Sequence, residues 1–110
     1  MKAVVAGPDR GIADALEAEG VAVSRLDGAV TAAGLEAAGI ADADLFVLTD
    51  AEEATAIPVA RELNPGLRLV AYAPASLPEF AGAQVDLAVR PGVLDAAAVA
   101  EELAGTGPDL

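Results

Sequence analysis

A chain of 110 residues with eighteen acids, six bases and neither cysteine nor histidine is bounded before any motif is read. One domain is expected, large enough to fold without staples; disulfides, thiolate sites and a cysteine nucleophile are excluded, and zinc sites and histidine bases are disfavoured. The net charge of −12 repels nucleic acid and anionic lipid, and no apolar run is long enough to span a membrane.

The elements follow in chain order. Lys2–Ala6 is a mostly apolar run suited to a central parallel strand. It leads into Gly7-Pro8-Asp9-Arg10-Gly11 and a helix over Arg10–Glu19, with Ile12, Ala15 and Leu16 at helical spacing and Gly20 as its stop. Val21–Leu26 reads as a second strand. Thr31 caps a short helix, Ala32–Ala38, which Gly39 ends. Leu45–Thr49 is a third, fully buried strand. The longest helix is expected over Ala51–Leu63, with Asp50 and Glu53 at capping-box spacing and Asn64-Pro65-Gly66 as terminator. Pro58 inside it predicts a kink or a late start. Leu67–Ala73 is the fourth strand. Ser76 and Glu79 form a second capping-box pattern before a short helix to about Ala81. Val85–Val89 is the fifth strand, and a last helix carries Leu94, Ala98, Val99 and Leu103 on its apolar face. Residues 1–104 read as a single domain and 105–110 as a loose tail. With no signal peptide and a strand at the start, a cytoplasmic location is expected.

Strands alternating with helices predict a doubly wound α/β fold: a Rossmann-like parallel sheet of about five strands, order 2-1-3-4-5, with helices on both faces. Ligands of such sheets lie beyond the carboxyl ends of the strands. The residues there are Gly7 to Arg10, Asp27, Thr49 and Asp50, Ala73 to Ser76, and Arg90 with Pro91.

The segment Ala38–Ala73, "AGIADADLFVLTDAEEATAIPVARELNPGLRLVAYA", resembles the N-terminal domain of the RCK family, the regulators of potassium conductance also called TrkA-N domains. The likeness lies in Ala38-Gly39-Ile40, Ala43-Asp44, Thr49-Asp50 and Ala60-Arg61-Glu62-Leu63-Asn64-Pro65, with Gln84–Leu94 fitting the family's last strand and its proline exit. It implies a non-catalytic regulatory domain that binds NAD or an adenine nucleotide, serves a potassium transporter as a subunit and forms a homodimer. The chain departs from the family in three ways. Asp9 stands where the second glycine of the phosphate loop belongs, and Gly11 comes one place early for the third. A strand-helix pair is missing between the second strand and "GLEAAGI". A C-terminal ligand-sensing domain is not expected to follow.

The candidate binding residues are therefore Gly7, Asp9, Arg10, Gly11, Asp27, Thr49, Asp50 and Arg90. Asp27 falls about twenty residues after Gly7, the place of a ribose-binding acid. A second register makes Leu26-Asp27 the close of the family's third strand, with the ribose site deleted. A third reading makes Asp27 a polar turn residue before Gly28. The loop itself suits pyrophosphate badly, since Pro8 lacks an N–H and Asp9 brings negative charge that only Arg10 opposes. Asp9 is equally suited to cap the following helix, and Asp50 the long one. Nucleotide binding is accordingly expected to be weak. Arg90 suits either an anion or a neighbouring acid.

Two further classes stay open. "DLAVRP", Asp86 to Pro91, resembles the last strand of a response-regulator receiver with its Lys-Pro, and Asp50 ends the third strand. Yet Arg90 replaces that lysine, Asp9 has no second acid beside it, and no Ser or Thr directly ends the fourth strand. An enzyme would need a P-loop, a nucleophile elbow or a metal cluster, and the sequence has none. The abundance of Asp and Glu, the single lysine (Lys2) and the many small apolar residues resemble proteins from cells with molar internal salt. On that reading most acids serve solubility, and a degenerate Rossmann domain kept for protein contacts is the remaining alternative.

Overall fold

The computed structural model describes residues 1–26, 28 and 30–104. Asp27 and the tail 105–110 lie outside the described residues. Five strands form one parallel sheet: β1 (Lys2–Ala6), β2 (Ala22–Leu26), β3 (Leu45–Leu48), β4 (Arg68–Tyr72) and β5 (Leu87–Val89). Their order is β2-β1-β3-β4-β5, and every pair is parallel, as the alternation of strand and helix predicts. The helices are α1 (Ile12–Ala18), α2 (Ala32–Ala37), α3 (Ala56–Leu63), α4 (Glu79–Gly82) and α5 (Ala96–Leu103).

The pleat divides the core in two. Ala3, Val5, Leu45, Val47, Val70 and Tyr72 point to one face and pack with Ile12 and Leu16 of α1 and Val99 and Leu103 of α5. Val4, Ala6, Phe46, Leu48 and Leu69 point to the other and pack with Leu35 of α2 and Ile57 and Ala60 of α3. Because both faces are covered, the central strands are apolar throughout, which is why they read as continuous runs.

Several boundaries differ from the sequence reading. The long helix begins late: Ala51–Glu53 forms a 3-10 turn, and α3 starts at Ala56. Pro58 is the cause. In a continuous helix its ring would meet the carbonyl of Ala54; as the third residue of α3 its missing N–H costs nothing. The two capping boxes do not form. Asp50 accepts from Glu52 N–H, while Glu53 instead accepts from Val30 N–H at 2.9 Å, tying the loop after β2 to the turn after β3. Ser76 caps nothing, and α4, a single turn begun at Pro78, has no side-chain cap. Leu94 lies before α5 and is 45% exposed; Asp95 is the true cap, accepting from Ala98 N–H at 2.8 Å.

The motif Ala60–Pro65 has a structural task at the amino end of the sheet. Asn64 Nδ2 donates to the carbonyls of Ile40 and Ala43, both at 2.9 Å, and its Oδ1 accepts from Gly66 N–H. Arg61 donates to the carbonyls of Pro65 and Leu67. These bonds fix the entries to β3 and β4 together. Replacing Asn64 by alanine strands the part-buried carbonyl of Ala43, while Ile40 O keeps Ala43 N–H, and we expect a loss of about 1–2 kcal/mol in urea unfolding.

Candidate functional site

The crevice at the carboxyl ends of β1 and β3 is where a doubly wound sheet holds ligands, because the crossovers leave these neighbouring strands in opposite directions. A cleft of about 320 Å³ opens there, lined by Gly7, Pro8, Gly28, Asp50 and Glu53. Its shape is set by Thr49, which is fully buried at the end of β3. Thr49 N–H donates to Ala6 O at 2.9 Å. Its hydroxyl donates to Pro8 O at 2.7 Å, with Ala6 O a further 3.2 Å neighbour. Gly7 has φ +113, and a Cβ added there would overlap the Thr49 hydroxyl and approach Asp50 N to 3.2 Å. Gly7 is thus required by the approach of the chain's own β3, whatever else passes above it.

Three donors around the loop are engaged within the chain, the first being Gly7 N–H, which donates to Leu26 O at 3.2 Å. Gly11 N–H donates to Asp9 Oδ1 at 2.8 Å. Asp9 therefore makes a local turn; the residue that begins α1 is Gly11, in a left-handed conformation and without a side-chain cap. The expectation that Asp9 caps the helix is corrected accordingly. Arg10 turns inward, its Nε donating to Thr49 O at 2.8 Å. Arg25, on β2, donates to Gly7 O at 3.3 Å and stands 3.8 Å from Asp9 Oδ1. The sequence reading passed over Arg25. Its signal was the parallel register, which sets Arg25 opposite Val5, two residues below Gly7.

Asp50 remains at the cleft with its carboxylate accepting from Glu52 N–H. Arg90 lies apart from this group, donating to Ser76 Oγ at 2.9 Å across the ends of β4 and β5. The structure thus brings Gly7, Asp9, Arg10, Gly11, Thr49 and Asp50 to one crevice and leaves Arg90 outside it, while Asp27 is not described. Among the described residues no three acids gather as a metal site. Among the described residues lining the cleft, the charged ones are both carboxylates, Asp50 and Glu53.

At the end of β4, Tyr72 is buried, and its hydroxyl donates to Leu94 O at 3.0 Å. Burial raises the phenol above its ordinary value, Asp95 raises it further, and Arg10 opposes both. The neutral form is the one the fold favours. Its contribution to stability is complete below the ordinary phenol pKa and is lost only as pH rises through the raised one. Up to that point the phenol pins the turn between β5 and α5.

A family model matches residues 3–103. The chain belongs to DUF7126, a family of unknown function. No curated protein matches it. Among solved structures it is similar to a protein from Burkholderia thailandensis described as a pilus assembly protein (cpaE), with 22% identity, TM-score 0.67 and 94% of each chain covered. A pilus assembly-related protein of Burkholderia pseudomallei gives 21% identity and TM-score 0.68, over 94% of this chain and 86% of that one. HP1043, an orphan response regulator of H. pylori, gives 12% identity and TM-score 0.70, over 94% and 92%. At these identities the likeness is one of fold: a five-stranded receiver-like sheet of order 2-1-3-4-5. This DUF7126 domain has no described helix long and apolar enough to cross a membrane.

Proposed function

We propose that this chain is a receiver-like, non-catalytic regulatory module of the cytoplasm that works through protein contacts, without phosphoryl chemistry and without a tightly bound nucleotide. One observation carries the reading: donors of the loop from Gly7 to Gly11 are spent on the chain itself, Gly7 N–H on Leu26 O, Gly11 N–H on Asp9 and Arg10 Nε on Thr49 O. A dinucleotide would have to displace these bonds and lie beside Asp9, Asp50 and Glu53. Phosphorylation as in a working receiver would need an acid pocket with its metal, and β1 ends at Ala6 and runs into Gly7-Pro8-Asp9, where Asp9 has no second acid beside it. The likeness to a response regulator and to proteins described as pilus assembly components supports a regulatory role built on the same scaffold. The potassium-transport reading rests on a resemblance over Ala38–Ala73 and Gln84–Leu94; of its motifs, Ala60–Pro65 has side chains engaged at the opposite end of the sheet.

The test is direct. In molar potassium chloride, calorimetry with NAD and with ADP is expected to give no saturable heat up to about 1 mM ligand, roughly 4 kcal/mol of binding free energy. Acetyl phosphate with Mg²⁺ is expected to leave the intact mass unchanged. Replacing Asp9 by glycine frees Gly11 N–H but leaves Thr49 closing the loop, so only a small gain in nucleotide affinity is expected. Micromolar NAD binding, or a phosphoryl adduct on Asp50, would overturn the reading.

A further inference from the structure

An open groove of about 380 Å³ lies between β5 and α5, and it shares no lining residue with the crevice at Gly7. Its walls are apolar along most of their length: Leu87 and Val89 of β5, Leu94 in the turn that follows, and Val99 of α5. Leu87 and Val89 are half-buried and Leu94 is exposed, so a visitor reaches this surface without opening the core. The far wall is fixed, because the carbonyl of Leu94 accepts from the buried Tyr72 hydroxyl.

The charges gather at one end. Arg68 opens β4, Asp86 precedes β5, and Glu102 lies in the last turn of α5. Asp86 is spent: its carboxylate accepts from Leu69 N–H at 2.8 Å and stands 3.6 Å from Arg61. Arg68 and Glu102 are not. Both line the groove, yet neither side chain has a hydrogen bond or ion pair among the described residues. Glu102 also sits where the dipole of α5 favours a cation, and no basic residue stands in that turn.

Charge then selects the ligand. A simple anion is repelled by a chain at −12 and again by Glu102 at the groove itself. A simple cation meets Arg68. A zwitterion carries no net charge, and it satisfies both groups at once, a carboxylate on the guanidinium fork and an ammonium on Glu102. The apolar walls beyond call for an alkyl side chain on the same molecule.

We propose that the groove between β5 and α5 binds a free aliphatic α-amino acid, its carboxylate on Arg68, its ammonium on Glu102 and its side chain along Leu87, Val89 and Leu94. The inference goes beyond the protein-contact reading by giving the module a small-molecule input. Nucleotide calorimetry tests that reading alone, and the experiment below tests the groove alone.

L-leucine is titrated into the isotopically labelled full chain, at the lowest potassium chloride concentration at which circular dichroism shows it folded, and the NMR shifts are followed. Saturable shifts are expected at Leu87, Val89, Leu94 and Val99, with a Kd of about 1 mM or tighter for a ligand of this size. Isocaproate, the same skeleton without the ammonium, and leucinamide, without the carboxylate, are each expected to bind about tenfold more weakly. Glycine, with no side chain for the walls, is expected not to bind. Arg68→Gln and Glu102→Gln, at exposed positions that leave the fold intact, are each expected to weaken L-leucine about tenfold. Glu102→Gln is also expected to close the gap between leucine and isocaproate, which a merely structural role would leave in place. No saturable shift up to about 10 mM L-leucine would overturn the proposal. So would shifts centred outside the groove, isocaproate binding as well as leucine, or neutralised variants that bind leucine unchanged.

Discussion

Gly7→Ala is expected to cost about 3 kcal/mol or more, from about 1–3 for a side chain held at positive φ plus the loss of the Thr49 hydrogen bonds. The position has φ +113, and the added methyl overlaps the Thr49 hydroxyl. That hydroxyl is fully buried against Pro8 O, so it has no other place to go. The clash and the conformation are separable. Thr49→Ala removes the overlapping atom, so the double variant G7A with T49A should be less destabilised than the sum of the singles by about 1 kcal/mol. Urea unfolding of the four chains supplies the cycle. Strict additivity would mean that the two residues do not compete for the same volume, and that Gly7 is there for conformation alone.

The second large effect is salt. A charge of −12 is carried on a surface of 5313 Å², and the acids are spread along the whole chain. The screening length falls from about 10 Å at 0.1 M to about 3 Å at 1 M, which removes repulsion between all but adjacent charges. Relief of a few kcal/mol converts to a rise in melting temperature of about 10 °C or more for a domain of this size. Differential scanning calorimetry across that range checks it. Potassium chloride is the titrant of choice, because sulfate would strengthen apolar burial in its own right. A flat melting temperature would mean that the acids are placed far enough apart to ignore one another even in dilute buffer.

The fold was legible because its signals are local. Continuous apolar runs at Leu45–Leu48 and Leu69–Tyr72, and glycines placed to end helices, leave few arrangements other than a doubly wound sheet. The chemistry was only half legible. That Pro8 and Asp9 spoil a phosphate loop can be read along the chain. That Arg10 turns to Thr49, 39 residues away in sequence, cannot, because an arginine beside a glycine loop looks the same whether it faces solvent or the next strand. The capping boxes failed for a related reason. Asp50 and Glu53 have the required spacing, but the tertiary bond from Val30 N–H takes Glu53 first, and Pro58 has already broken the turn into a tighter one. Leu94 was misplaced because an apolar residue at helical spacing says nothing of the helix's start, which Asp95 decides. Within the motif Ala60–Pro65, the side chains of Arg61 and Asn64 join the entries to β3 and β4, a role that its residue pattern alone does not reveal.

The single turn of α4 has a dynamic consequence. The other helices adjoining the core run six to eight residues, whereas α4 has four and no side-chain cap, and the strand beside it has three. Amide exchange should therefore be uneven. The block formed by β1, β3, α1 and α5 should exchange only with global unfolding, while α4 and β5 open by a cheaper, local route. The half-buried edge at β5 is thus also the part least able to hold its own amides. A partner on that edge would slow exchange at Ala81 and Ala88 without touching the centre of the sheet, so the domain would report its occupancy as local order, with no change of shape.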